Sequence, residues 1–598
     1  MKPNRKPSGP YLLDAKVRHR ADFTAQIVPG FVILGFVVLF LRLWYLQVVK
    51  GEELSRLAIR SRTIEEAIPP PRGQIVDREN RPLATVEPAL AVMITPHEII
   101  QKPDAISHLA KIIQEDPKEL QNAIRNHMHR RFLPFVEKVG LRENQAIAIE
   151  EQRAFLPGVF VRSLPVRKYH HGKALAHVIG YVGGLDEKDI ERILAISKML
   201  PPFTGKIGIE RAYDDKLMGT PGIEAVEVDS RGKPLRPRTS EPPIPGSKLV
   251  LTLDLDLQEF AASVLQNKRG AIVALNPKNG EILCLYSNAS YDPNLFVKGI
   301  TAAQWEQLSK DPRLPLHNRA IASAYAPGST FKLVTLIAGI KTGVITPSTT
   351  FVCRGGLKVG NRYFRCLGVH GSVNFERAIE KSCNVFFAEI ATRVQRHDIV
   401  EVAKEFGFGT KLGIDILGES TGTLPSSAWL EKNGIRWYLG DSVNLSIGQG
   451  YLGGTPLQLA NYASTIANKG IAYKPHLVRS IVPSTPDQPP QEIEPVVFSK
   501  LNIDSLWWDR ITNAMVRVVD TGTGRAAHIE GVRFAGKTGT AQQKRGATPH
   551  ALFIGFAPAD DPEIAIAVVL EGAGQGGQVA APIAGKVVRF YLQKIGAL

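Results

Sequence analysis

A serine hydroxyl becomes a nucleophile when a base stands close enough to take its proton. Ser329-Thr-Phe-Lys332 sets a hydroxyl and an amine three residues apart. On a helix that spacing stacks both side chains on one face, a turn from each other. Ala326-Pro327-Gly328 reads as the end of a loop, and the apolar residues after Lys332 recur at helical spacing. Ser329 is therefore predicted at a helix N-terminus, where free amides can help hold an oxyanion. Spacing alone is weak support, because Ser230-Arg-Gly-Lys233 repeats it in a Gly/Pro-flanked turn that cannot align the pair.

Acyl transfer at such a serine needs two more elements: a second hydroxyl to relay the proton, and a cation with hydroxyls to hold a substrate carboxylate. Lys537-Thr538-Gly539-Thr540, after the strand-like Val532–Ala535, supplies the second. Gly539 there would let a substrate backbone lie close as an added strand. Ser382-Cys383-Asn384 offers the relay, within a helical run from Glu376 to Ile390. Both patterns have competitors. Lys341-Thr342-Gly343 repeats the first but closes the Ser329 helix, with Gly343 as its cap. Ser372 and Ser442 also begin Ser-x-Asn, so pattern alone does not choose among the three.

The residues around Lys537 carry a rival chemistry. Gly531-Val-Arg-Phe-Ala-Gly536-Lys537-Thr538 satisfies the phosphate-loop pattern, which must follow a strand and open a helix. Here the intervening residues are themselves strand-like, and Gly539–Gly546 begins no convincing helix.

A metal site is a further candidate. Cys353, Cys366, His370 and Cys383 are spaced C-x12-C-x3-H-x12-C, in a chain with only four cysteines. Three cysteines and a histidine make a common ligand set for a closed tetrahedral structural zinc. Gly355-Gly356 and Gly360-Asn361 look like turns of a β excursion that brings Cys353 beside Cys366, and Cys383 starts a helical turn. A Cys353–Cys366 disulfide is the competing arrangement.

These elements need a scaffold outside the cytoplasm. Ile27–Leu41 is apolar throughout apart from Pro29, Gly30 and Gly35, and with Leu43–Leu46 it reaches the ~20 residues of a spanning helix. Lys2, Arg5, Lys6, Lys16, Arg18 and Arg20 precede it, which holds the N-terminus in the cytoplasm. No small-residue cleavage site follows, so an anchor is expected, not a signal peptide. The chain has 598 residues, more than one ordinary core accommodates. Its composition, 44% hydrophobic and 22% charged, is that of a folded protein. The net charge of +16 favours an anionic partner such as phospholipid headgroups. No zinc-finger spacing, RNA-binding signature or basic-aromatic stripe points to nucleic acid.

After the anchor, Glu52–Glu66 reads as a charged helix, followed by the break Pro69-Pro70-Pro71. Amphipathic helices are expected near Asp104–Gln114 and Pro117–Met128. Lys233–Lys248 is too proline-rich for a helix or a central strand and marks a boundary. Beyond it, Gly270–Leu275 and Ile282–Tyr286 read as a hairpin, a helical block runs from Ser329 to Ala467, strands return at Arg533–Ala535, Leu552–Ala557 and Ile564–Glu571, and a helix starts at Ala581. Strands at both ends of a helical block predict a mixed α/β (α+β) fold, with a mainly antiparallel sheet covered by helices. The expected divisions are a cytoplasmic tail at 1–23, an anchor at 24–49, a β-rich pedestal with an inserted head at 50–244, and a catalytic domain at 245–598.

Ser-x-x-Lys, Ser-x-Asn and Lys-Thr-Gly in that order resemble the serine penicillin-recognising enzymes. The 53 residues from Ser329 to Ser382 and the 155 from there to Lys537 resemble the class B penicillin-binding proteins, and most of all their cell-elongation subgroup. Arg72-Gly73-Gln-Ile-Val-Asp77-Arg78 resembles their pedestal signature, with Asn80 where the family usually has glycine. His177–Gly183, Gly208–Tyr213, Ser446-Ile-Gly448-Gln449-Gly450 and Ile554–Pro558 extend the likeness over nearly the whole chain after the anchor.

The resemblance selects Ser382 as the relay and implies a mechanism. Ser329 attacks the penultimate D-alanine carbonyl of a stem peptide. Lys332, its pKa lowered by desolvation and by Lys537, takes the proton, and Ser382 passes it to the leaving amine. Asn384 holds the peptide amide, Lys537, Thr538 and Thr540 hold the terminal carboxylate, and the N–H groups of Ser329 and Thr540 form the oxyanion hole. No cofactor for catalysis is implied. The implied partners are peptidoglycan stem peptides on lipid II-derived strands, a polytopic SEDS-family glycosyltransferase, other elongation-complex proteins and the inner membrane, with β-lactams as inhibitors. A β-lactam sensor, a D,D-carboxypeptidase and a non-enzymatic scaffold share much of this sequence.

Overall fold

A computed structural model describes residues 15–598 apart from 55–62, 129–130, 133, 196–200, 202, 229–233, 298, 486 and 543–545. The basic tail before residue 15 and the competitor pair Ser230/Lys233 thus lie outside the described residues. Two compact units result: residues 1–68 with 223–242, and 69–222 with 243–598.

The first unit holds the anchor. A helix over Ala15–Trp44 passes into a π-helical turn at Tyr45–Val49. Within it, Pro29–Val49 is 21 residues long with mean hydropathy 2.2, enough to cross a bilayer. Of the helix expected over Glu52–Glu66, residues 51–54 are helical, and 55–62 lie outside the described residues. Thr63–Ile68 is instead a strand, in a three-stranded sheet ordered Thr63–Ile68, Gly222–Val228, Pro234–Glu241. Pairing overrode helix propensity there, and β-branched Thr63, Ile64 and Ile68 suit a strand. The proline-rich stretch is an edge strand, the position in a sheet that tolerates Pro234 and Pro237.

In the second unit a seven-stranded sheet runs Gln491–Glu492, Val478–Val482, Lys248–Leu251, Ile75–Val76, Pro82–Ile94 and Phe135–Val139, with Val159–Tyr169 also paired to Pro82–Ile94. Lys248–Leu251 lies parallel to Ile75–Val76 and antiparallel to Val478–Val482. One sheet therefore joins the strand that follows the proline-rich region to Ile75–Val76 on one side and Val478–Val482 on the other. Asn80 has φ +63, where asparagine is at ease, which accounts for its place in a position that otherwise suits glycine. Beneath the sheet, Glu210 is fully buried between Arg72 and Arg167, each 2.6 Å away, and Asp214 takes Arg72 at 2.8 Å. The expected head helices form at Pro103–Ile113 and Pro117–Asn126 around a small core of their own.

The catalytic portion is built on a five-stranded antiparallel sheet ordered Ile282–Asn288, Gly270–Leu275, Ile564–Leu570, His550–Ala557, Ala535–Ala541. Its strands are buried on both faces, so they read as continuous apolar runs. Alternate residues serve opposite cores. Ala271, Val273, Leu552, Ile554 and Ala567 face the helical block, whereas Ile272, Phe553, Ile566, Val568 and Leu570 face Leu255–Val264 and Gly576–Lys594. Burying each Ile, Leu, Phe or Val contributes roughly 1.5–3 kcal/mol. The last helix begins at Gly576, not Ala581, with Pro582 tolerated inside it.

Candidate active site

Gly328–Phe331 forms a 3-10 turn that runs into the α-helix Lys332–Lys341. In a 3-10 turn residues three apart eclipse, so Ser329 and Lys332 share a face. The helical run expected from Glu376 to Ile390 breaks at the relay. Helices span Phe375–Glu380 and Asn384–Ala391, and between them Ser382 takes φ +53. A non-glycine residue in the left-handed region is held there by its surroundings, and here it aims Ser382 at both lysines.

Lys332 Nζ donates to Ser382 Oγ at 3.1 Å, to the Ser382 carbonyl at 2.7 Å and to Asn384 Oδ1 at 2.7 Å. Lys537 Nζ donates to Ser382 Oγ at 3.0 Å. Both lysines are fully buried, and no carboxylate pairs with either among the described residues. Burial pushes Lys332 down to about 7, against the opposing pull of the Cys366 and Cys383 thiols. Burial, then the charge of Lys332, holds Lys537 well below the ordinary lysine range. The repulsion expected to fall on Lys332 therefore falls on Lys537, and desolvation is what makes Lys332 a usable base.

Lys537 and Thr538 lie mid-strand, with Lys537 opposite Ile554 and Thr540 opposite Ala551. The phosphate-loop alternative fails on this point, since no helix opens after Thr538. Gly539 admits the chain's own nucleophile turn: a Cβ there would stand 2.7 Å from the Pro327 carbonyl. A Cβ on Gly328, at φ +54, would likewise stand 2.7 Å from the Thr540 carbonyl. The Gly448 carbonyl accepts from Gly328 N at 2.9 Å, and Gln449 Nε2 donates to the Thr540 carbonyl at 3.3 Å. The Ser446–Gly450 segment thus ties the serine turn to the lysine strand.

The competitors are elsewhere. Ser372 is exposed on a short strand, Ser442 Oγ accepts from Trp437 Nε1 at 2.8 Å, and Lys341 pairs with Glu405 ahead of the Gly343 cap at φ +75. Two neighbours were not foreseen. Thr523 Oγ1 meets Thr538 Oγ1 at 2.8 Å, and Gly576 N donates to Thr540 Oγ1 at 3.2 Å. Both come from elements distant in the chain, and no local signal marks either.

A profile described as the penicillin-binding protein transpeptidase domain matches residues 270–589, and one described as the penicillin-binding protein dimerisation domain matches 67–251. The chain belongs to the penicillin-binding transpeptidases. Among curated family members it is 35% identical over 588 residues to the peptidoglycan D,D-transpeptidase MrdA of Acinetobacter baumannii, covering 94% of this chain and 86% of that one. Penicillin-binding protein 2 of Helicobacter pylori, solved in complex with MreC, superposes with TM-score 0.79 at 28% identity, over 90% of this chain and all of that one. Penicillin-binding protein 2 of Pseudomonas aeruginosa, solved with WCK 5153, gives 0.68 at 32% identity, over 88% of this chain and 97% of that one.

Beside the Lys332–Ser382–Lys537 cluster, Cys353, Cys366, His370 and Cys383 place their ligand atoms within 4.8 Å of one another. All are free, so the Cys353–Cys366 disulfide is not formed. His370 Nδ1 is 3.6 Å from both Cys353 Sγ and Cys366 Sγ, and Cys366 Sγ is 3.8 Å from Cys383 Sγ. Zn–S bonds of about 2.3 Å in a tetrahedron separate ligands by about 3.8 Å, so these atoms fit the ion's edges. The hydrogen bond from Cys383 and the backbone N–H groups of Val385, Gly368 and Asn384 push the Cys366 thiol down, toward the thiolate a metal requires.

Proposed function

We propose that this chain is a peptidoglycan D,D-transpeptidase that cross-links stem peptides through a Ser329 acyl-enzyme during cell-wall elongation, and that β-lactams inhibit it. The observation that carries this reading is the convergence of two buried lysine amines on Ser382 Oγ, with no carboxylate among the described residues to pair with either. Lys332 enters the cycle neutral and takes the Ser329 proton as Oγ attacks the penultimate D-alanine carbonyl. The tetrahedral oxyanion is held by the N–H groups of Ser329 and Thr540. Collapse breaks the peptide bond, with Ser382 passing the proton to the departing D-alanine amine. Asn384 orients the donor amide. Lys537, Thr538 and Thr540 receive its carboxylate, and Gly539 keeps their strand against the serine turn. A second stem peptide's amine then accepts the acyl group. Ser329→Ala is expected to abolish labelling by a fluorescent penicillin while leaving the unfolding midpoint unchanged. Stoichiometric labelling of that variant would overturn the assignment.

The elongation assignment draws on the likeness to the MrdA enzymes. By the same likeness, the partners are a polytopic SEDS-family glycosyltransferase and other elongation-complex proteins, including one of the MreC kind. The apolar helix fits a single-pass inner-membrane anchor, with the catalytic portion outside the cytoplasm. The divisions at residues 23, 49 and 244 are offered on the same footing.

The cysteine cluster is proposed to bind one structural zinc. Cys383 lies between Ser382 and Asn384, so the ion would brace the relay turn without entering the chemistry. About one zinc per chain is expected, with three thiols that react only after a chelator is added. Metal-free protein that labels fully with penicillin would count against it.

A further inference from the structure

We propose that the excursion Phe351–Val373 is a carboxylate-reading rim of the cleft, with Lys358 and Arg365 selecting stem peptides that carry a free side carboxylate near the scissile bond. The inference rests on the transpeptidase reading and adds to it a determinant of substrate choice.

Between Phe351 and Val373 stand Arg354, Lys358, Arg362 and Arg365, and not one aspartate or glutamate. All four are exposed, and none forms an ion pair among the described residues. Nearby carboxylates are already engaged: Glu389 holds Arg393 at 2.5 Å, and Glu376 holds Arg510. Elsewhere on the surface many cations do have acidic partners, as with Lys341 and Glu405 or Lys404 and Glu401. A one-signed, unpaired group at a cleft concentrates anions there.

The hairpin is built to present them. Gly356–Val359 pairs with Arg362–Arg365 through a turn in which Gly360 has φ +60. Its register puts Lys358 across from Tyr363 and Gly356 across from Arg365, so Lys358, Tyr363 and Arg365 share one face. Leu357 and Phe364 occupy the other face. Leu357 packs on the core, and Phe364 lies beside Gly440. The Tyr363 ring closes over Gly356, where a Cβ would stand 2.4 Å from it. The polar face is thus turned outward by apolar packing behind it.

The hairpin meets the proposed reaction centre at Asn384. Its Nδ2 donates to the Arg365 carbonyl at 3.0 Å, while its Oδ1 accepts from Lys332 Nζ at 2.7 Å. One side-chain amide therefore separates the Arg365 backbone from the proposed base. A donor held by its terminal carboxylate at Thr538 and Thr540 and by its amide at Asn384 continues upstream at about 3.3 Å per residue. That places carboxylates one or two residues back within the reach of an arginine on this rim.

The test uses the full chain in detergent and two thioester donors identical except for a carboxylate or a carboxamide on the residue preceding the reacting D-alanine. The quantity read is the ratio of their Ser329 acylation rates, in which general damage to a variant cancels. The wild type is expected to favour the carboxylate about tenfold at low salt and less at high salt, as exposed charge requires. Lys358→Gln with Arg365→Gln should bring the ratio within about twofold of unity, and Lys358→Glu with Arg365→Glu should reverse it. A second arm offers acceptor amines with and without a carboxylate. A charge-sensitive preference confined to that arm would support the rim and assign the carboxylate to the acceptor. Equal ratios in wild type and variants in both arms overturn the rim while leaving the transpeptidase reading intact. Failure of every donor and of penicillin to acylate Ser329 overturns both.

Discussion

Two buried charged groups in this chain have opposite designs. In the pedestal, Glu210 is enclosed by Arg72 and Arg167, Asp214 by Arg72 and Arg192, and Tyr169 adds a hydroxyl to Glu210 at 3.3 Å. In the cleft, Lys332 and Lys537 are as deeply buried and have only neutral oxygens around them. The Coulomb attraction of the pedestal cluster overcomes its desolvation, so Glu210 is held below the usual carboxylate range despite total burial. In the cleft the pull of the Cys366 and Cys383 thiols on Lys332 is too weak to offset desolvation, and the amines are driven toward neutrality. Paired burial fixes a structure. Unpaired burial changes a pKa, and a perturbed pKa is what an acyl-transfer base needs.

Substitutions separate the two designs. Lys332→Met should lower penicillin acylation by about 10²–10⁴-fold, the usual worth of a positioned base. Its effect on stability should be small. A desolvated amine is removed, but Asn384 Oδ1 and the Ser382 carbonyl lose a donor, and these changes oppose each other. In the wild type, acylation should fall about tenfold per unit below pH 7, because protonated Lys332 cannot accept the Ser329 proton. A profile flat from pH 5 to 8 would remove Lys332 from the role of base. Glu210→Gln should do the reverse. It leaves two buried guanidiniums short of a charge, at a cost of about 3–5 kcal/mol in urea unfolding. The folded fraction should acylate at the wild-type rate. Since Glu210 is depressed in the folded state, wild-type stability should also fall as pH drops below about 4.5, and the Gln variant should lack that loss.

The same contrast explains what could be read from the sequence. Ser329-x-x-Lys332 and Lys537-Thr-Gly539 were legible because each is a local pattern on one element. The zinc-like spacing was legible because its ligands bracket one excursion. The left-handed turn at Ser382 was not, since φ +53 is imposed by contacts with elements far along the chain. Thr523 and Gly576 reach the Lys537 strand only through tertiary packing, so no local signal marks them. A second role of Gly539 was hidden for the same reason. It makes room for Pro327, more than 200 positions earlier, which no reading of its own neighbours could reveal. Thr63–Glu66 was taken for helix because the partner strand of Thr63–Ile68 begins at Gly222.

The smallest expected effect lies between these extremes, at a single buried acid. Asp415 receives Tyr213 Oη at 3.0 Å and the N–H groups of Leu477 and Val478 at 2.8 and 2.9 Å, and it pairs with no cation among the described residues. Burial raises its pKa, and the three donors pull it back. Tyr213→Phe removes one donor of three and should cost about 1 kcal/mol near neutral pH. The sign of its pH dependence follows from the raised pKa. In the folded state Asp415 keeps its proton to a higher pH than in the unfolded chain, so its contribution is most favourable below the unfolded value of about 4 and is lost as pH rises through the folded one. Losing Tyr213 raises that folded pKa further, so the deficit of the variant should grow between about pH 4 and 7. Urea midpoints of wild type and Tyr213→Phe at both ends of that range measure it. A deficit equal at the two pH values would mean that Tyr213 supports Asp415 by packing alone, and that a lone buried carboxylate here behaves like neither of the two clusters.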